Sequence, residues 1–199
     1  MVQQVVDQAV EAVLDGDAQL AQRVIDGDNR IDDEEVKVEQ SAIDLLALHQ
    51  PAAGDLRLIT TVIKVNSELE RIADCGVNVA QRVLVLARHR GEYEVPADLR
   101  LMCQRVSSAL RDAARAFNTD DVDLARHVLR GDDVVDALYN QIVQDMLLDM
   151  ERGGENAPAD LANIMIAKNA ERIADHCTNI AEDVIYVHTG RIIRHLHRV

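Results

Sequence analysis

The chain has 199 residues, 48% hydrophobic and 28% charged, so it can bury a core and is not disordered by composition. Its 35 Asp and Glu against 21 Lys and Arg leave a net charge of -14, which speaks against nucleic acid as a direct partner because no basic stripe can neutralise phosphates. Cys75, Cys103 and Cys177 are scattered and form no C-x-x-C pair, a pattern of a reducing compartment rather than of a disulfide framework.

Apolar residues recur at spacings of three and four along the whole chain, as in Ile59, Val62, Ile63, Leu69 and Ile72, which is the periodicity of helices. No segment alternates in a sustained strand pattern. Met1 to Gln4 lack the basic start and apolar run of a secretion leader, and no apolar run reaches about 18 residues, so a cytoplasmic protein is expected. Asp15-Gly16-Asp17 is expected to end a first helix. A second runs from about residue 17 to Gln50-Pro51, roughly 50 Å at ~1.5 Å per residue. A third ends at Gly91 through Pro96, a fourth at Asn118-Thr119-Asp120, and a fifth at Gly153-Gly154 through Pro158. A sixth continues to near the C-terminus, where Arg191, Arg194, His195, His197 and Arg198 suit the negative end of a helix.

The order short helix, long helix, long helix appears twice. Asp17 through Ile25 resembles Asp121 through Leu129, Gly27-Asp28 matches Gly131-Asp132, and Ile31-Asp32 matches Val135-Asp136. Asp28 and Asp132 are 104 residues apart, whereas Glu70-Arg71-Ile72-Ala73-Asp74 returns unchanged as Glu171-Arg172-Ile173-Ala174-Asp175 at an offset of 101. The second half has lost three residues in between, most simply at the turn joining its two long helices. The expected fold is all-α: two tandem three-helix bundles, residues 1–93 and 94–199, in an elongated arrangement. Gly27 and Gly131 each lie inside a long helix at a cost of about 1 kcal/mol relative to alanine, so their matched positions mark either a close backbone approach or a local bend.

The acids carry the chemistry. Residues four apart share one face of a helix, so each E-R-I-A-D string stacks two carboxylates that repel unless something positive sits between them. Asp28 and Asp32 form a second such pair in the first half, extended by Glu35, and Asp132 and Asp136 form its counterpart, with Tyr139 at the place of Glu35. Long helices joined by a short turn are antiparallel neighbours, which sets Asp28 and Asp32 against Glu70 and Asp74, and Asp132 and Asp136 against Glu171 and Asp175. Oxygen-only donors suit Mg, Ca, Mn or Fe and accept Zn, and four carboxylates can bridge more than one ion. A lone D-x-x-x-D in so acidic a chain is ordinarily a solvated face; four pairs at matched repeat positions favour a metal. Arg71 and Arg172 are also placed to pair with these acids. Asn78 and Asn179 read as polar residues between helices or as groups that orient metal ligands. His176 reads as peripheral, and Cys75 and Cys177 as small buried fillers. There is no H-E-x-x-H, no G-x-S-x-G, no Gly-rich phosphate loop and no Glu-x-x-His pair, so no enzyme is expected. The alternatives are a phosphohydrolase-like metalloenzyme built on the carboxylates and a metal buffer protein.

These residues resemble one family. His49-Gln50-Pro51-Ala52-Ala53-Gly54-Asp55-Leu56-Arg57 is similar to the R-Q-P-V-A-x-D-L-R turn of the PhoU family, and the two E-R-I-A-D strings are similar to its E-R-I-G-D. Asn179 through Tyr186, followed by Gly190, is similar to the end of its second repeat. The chain departs from the family at Ala73 and Ala174, where glycine is usual, and at His49, where arginine is usual; it also starts inside the family's first helix. The resemblance implies two three-helix bundles with pseudo-twofold symmetry. It implies multinuclear metal clusters (Fe, Zn, Mn or Mg) on Asp28, Asp32, Glu35, Glu70 and Asp74 and on Asp132, Asp136, Glu171 and Asp175. It further implies a negative regulator of phosphate uptake and of the phosphate-starvation response. The expected partners are the ATPase subunit of a phosphate ABC transporter, a phosphate-sensing histidine kinase, and a second copy of the chain as a homodimer or larger assembly. Membranes would be met only through those partners.

Overall fold

A computed structural model describes residues 1–89, 94–153 and 157–192. Among the described residues there is no strand; the elements are α1 (Val2–Asp15), α2 (Ala18–Asp26), α3 (Asn29–His49), α4 (Ala53–Leu86), α5 (Ala97–Thr119), α6 (Val122–Glu151) and α7 (Ala157–Thr189), with one 3-10 turn (Ala87–His89) after α4. The turns follow from local chemistry. Gly16 ends α1 in the left-handed conformation (φ 61°), and Asp17 then caps α2 by accepting from the N–H groups of Gln19 and Leu20 at 2.9 and 3.0 Å. The second half repeats the device: Asp120 turns left-handed (φ 51°) and Asp121 accepts from the Leu124 N–H at 2.9 Å. At the α3–α4 turn two residues other than glycine, Gln50 (φ 45°) and Ala53 (φ 47°), take positive φ on either side of Pro51.

The expected helix from 17 to 49 is two helices. At Gly27 the bonds shift to a tighter step, Gly27 N–H to Val24 O at 3.2 Å and Ile31 N–H to Asp28 O at 2.8 Å, and α3 starts as a separate helix at Asn29. Gly131 lies inside the uninterrupted α6, and a Cβ built there would meet nothing within 4 Å. Close approach therefore explains neither glycine. The same weak helix former is a break in one half, where α3 has few neighbours, and is carried through in the other, where α5 and α7 flank α6. Parts of the expected stops at Gly91 and Gly154, and the basic residues Arg194, His195, His197 and Arg198, lie outside the described residues.

α4 and α7, the helices that carry the repeated strings, pack on each other. They run antiparallel, because Lys64 meets Asp183 while Glu68 meets His176 and Asn179. α1 packs on α4 and α5, α2 and α3 on α4, and α5 and α6 on α7. One hydrophobic cluster runs through both halves, with Ile72 and Val83 of α4, Leu99, Met102 and Leu110 of α5, Ile142 of α6, and Ile166 and Ile180 of α7. Cys75 and Cys177 belong to it, as expected of buried fillers. α3 stands outside this cluster: its buried residues, Ile31 and Ala42, do not belong to it.

Candidate functional site

Two rows of carboxylates line the seams α3–α4 and α6–α7. In the first seam Asn66 of α4 donates from its side-chain nitrogen to the Glu35 carbonyl at 2.8 Å, which fixes α3 against the stretch of α4 that bears Glu70. Asp28, at the N-cap of α3, is thereby set near Asp32 and Asp74, and Glu35 and Asp32 near Glu70. Burial first, then Asp32 and Asp74, raise the pKa of Asp28; burial first, then Asp74, raise that of Glu70, although Arg71 opposes it. Arg71 stands 3.4 Å from Glu70 and 3.7 Å from Asp74.

The second seam repeats the arrangement. Burial first, then Asp136, Asp175, Asp133 and Glu171, push Asp132 up to about 6. Asp136 and Asp175 are raised by burial and then chiefly by Glu171. Here the internal cation is a lysine: Lys168 donates to Glu171 Oε2 at 2.7 Å and lies 5.3 Å from the centre of the Tyr139 ring. A cleft of about 80 Å³, lined by Arg105, Ser108, Asp112, His127 and Thr178, opens beside Asp132.

The fit to a cation rests on two matched atoms. Asp28 Oδ1 and Asp132 Oδ1 are both buried and neither has a hydrogen-bond partner. Asp28 stands at the N-cap of α3, where an aspartate ordinarily accepts from the next turn's N–H groups, yet its side chain makes no capping bond. An unsatisfied buried carboxylate oxygen is costly, and hard oxygen donors are the ligands that Mg, Mn, Ca and Fe take. Among the described residues no three His, Cys, Asp or Glu side chains converge on one point. The rows face each other, and ligation of a shared ion requires their ends to turn inward.

The predicted residues are thus brought together as two facing rows, Asp28, Asp32, Glu35, Glu70 and Asp74 in one seam and Asp132, Asp136, Glu171 and Asp175 in the other. Sequence reasoning missed what joins the halves. Glu68 Oε2 lies 2.6 Å from His176 Nδ1 and accepts from Asn179 Nδ2 at 3.1 Å, so His176 belongs to the α4–α7 seam. Lys64 lies 3.4 Å from Asp183 and 5.1 Å from the centre of the Tyr186 ring. Lys168 was legible, three residues before Glu171, as a helical ion-pair spacing.

The model of the PhoU domain matches residues 1–83 and 99–184. A relative in Thermotoga maritima, named phosphate-specific transport system accessory protein PhoU homolog 1, is 31% identical over 198 residues, covering 100% of this chain and 85% of that protein. A PhoU homolog of Aquifex aeolicus is 36% identical, covering 99% of this chain and 89% of that protein. The crystal structure of PhoU from Pseudomonas aeruginosa superposes with a TM-score of 0.92 at 34% identity, covering 96% of this chain and 91% of the other. The phosphate transport system regulatory protein PhoU from Streptococcus pneumoniae superposes at 0.88 with 27% identity, covering 96% and 89%. Among the described residues no helix is long and apolar enough to cross a membrane.

Proposed function

The chain belongs to the PhoU family, and on that premise we propose that it is a cytoplasmic, metal-binding accessory regulator of phosphate uptake. It restrains a phosphate ABC transporter through the ATPase subunit and passes the phosphate signal to a sensor histidine kinase, working as a homodimer or larger assembly. The relatives are named as accessory proteins of a transport system rather than as enzymes. What carries the metal part of the reading is the pair of buried, unpartnered oxygens on Asp28 and Asp132, each inside a carboxylate row.

Asp28, Asp32, Glu35, Glu70 and Asp74 would hold one group of ions, and Asp132, Asp136, Glu171 and Asp175 the other. A bound cation supplies positive charge between the rows. The chain's own residues do the rest: Asn66 holds α3 against α4, while Glu68, His176 and Asn179 hold α4 to α7. A surface for partners is offered by the α3–α4 hairpin, where Ile43, Leu45, Leu48, Leu56 and Leu58 are exposed, Leu48 to 77%, beside Glu39, Asp44 and Asp55.

The test is binding of the purified chain to the ATPase subunit and to the cytoplasmic part of the kinase, with protein stripped by chelator and reloaded. Saturable binding to either supports the adaptor reading. Absence of binding to both, in both metal states, would overturn it. Metal analysis of freshly purified protein tests the metal reading separately.

A further inference from the structure

The two rows differ at two matched positions, and the two differences touch. Glu35 of the first row corresponds to Tyr139, and Ser67, three residues before Glu70, corresponds to Lys168, three residues before Glu171. Lys168 Nζ hydrogen-bonds Glu171 at 2.7 Å while lying 5.3 Å from the centre of the Tyr139 ring. The second row thus lacks one carboxylate of the first and holds an ammonium ion seated against an aromatic face. That ammonium sits on an oxygen that a metal would need. Arg71 also stands on acids of the first row, but it is 56% exposed and its contacts with Glu70 and Asp74, 3.4 and 3.7 Å, are looser than the 2.7 Å bond of Lys168. Asp133 adds a negative charge near Asp132 where the first half has Asn29, so summed charge alone does not separate the rows. The direct occupation of Glu171 by Lys168 does.

We propose that Lys168 is a resident counter-ion that makes the α6–α7 row the weaker of two metal sites. A divalent cation entering that row displaces the ammonium from Glu171, whereas the α3–α4 row, with Glu35 and Ser67, fills against only the looser contacts of the exposed Arg71. Lys168 is 44% exposed, so its head group can swing to water without unpacking the helix. The two rows then load over separate ranges of cation concentration. This inference rests on the metal-binding reading of the rows.

Equilibrium dialysis of the chelator-stripped full chain against Mn²⁺ tests it. Wild-type protein should show a tight and a weak class of sites; Asp28→Asn should weaken the tight class and Asp132→Asn the weak one. Lys168→Met keeps the apolar stem over Tyr139 and removes the charge, and should tighten the weak class on the order of tenfold. Lys168→Arg should leave both classes within about twofold of wild type, because the charge is kept. In melting curves Lys168→Met should lower the Tm of chelated protein and enlarge the rise produced by Mn²⁺; a lysine with a purely structural role would lower both states alike. If Mn²⁺ binds and Lys168→Met leaves the weak class unchanged, this inference fails while the metal reading stands. If wild type and variants retain no Mn²⁺, both fail together.

Discussion

Replacing Asp132 by asparagine should stabilise the metal-free protein at neutral pH and destabilise the metal-loaded one. Burial and four neighbouring carboxylates push Asp132 from an ordinary 3.8 up to about 6. An acid with a raised pKa holds its proton more tightly in the folded chain than in the unfolded one. Its contribution to stability is therefore full below about pH 4 and is lost as the pH climbs through about 6. Fully expressed, such a displacement corresponds to about 3 kcal/mol. The carboxylate is only half-buried and water screens its neighbours, so about 1–2 kcal/mol is expected. At pH 7.5 in chelator Asp132→Asn should then raise the melting temperature by about 3–6 °C for a chain of this size. At pH 4 the gain should vanish, because wild-type Asp132 is itself protonated there. In saturating Mn²⁺ the order should reverse, since a charged ligand has been removed and binding no longer stabilises the fold as strongly. Thermal melts followed by circular dichroism at the two pH values, with chelator and with Mn²⁺, provide the measurement. An asparagine variant less stable than wild type in chelator at pH 7.5 would refute the claim that the row is a repulsive, desolvated cluster.

Three further outcomes are expected. Glu68→Ala removes the acceptor shared by His176 and Asn179 in the α4–α7 seam and should cost about 1–3 kcal/mol in urea unfolding; a loss under about 0.5 kcal/mol would show the bridge to be incidental. Gly131→Ala, in a continuous helix with open space around the new methyl, should gain about 0.5–1 kcal/mol, while Gly16→Ala, at φ 61°, should lose about 1 kcal/mol; equal signs in the same assay would contradict the geometry. Burial pushes the Cys103 thiol up to about 12 and raises Cys75 and Cys177 as well, so Ellman's reagent at pH 8 should label no cysteine of the native chain within minutes and three on unfolding. Fast labelling of the native chain would mean that the core opens far more often than its packing implies.

Much of the fold was legible because helices report themselves locally. Asp17 and Asp121 announce helix starts, Gly16 and Asp120 the preceding stops, and the structure uses each in that role. Gly27 and Gly131 mark the limit of local reading. Their neighbourhoods look alike in sequence, yet one is a break and the other is not, since the outcome depends on which helices flank each position. The carboxylate rows were legible for a different reason: spacing of four puts acids on one face, and duplication repeated the pattern. Glu68, Lys64 and Asp183 were not, because their partners lie more than one hundred residues away along the chain.

By itself the sequence determined which segments coil, where most of them stop, and that acids stand in matched pairs, since periodicity and capping act within a single turn; it did not determine which helices touch. Only the tertiary structure decided that α4 and α7 lie together, that the buried oxygens of Asp28 and Asp132 are left without partners, and that a lysine stands among the acids of one row alone. Those facts arise from packing between distant helices, where burial withdraws water and each charge must find its compensation in whatever neighbour the fold supplies.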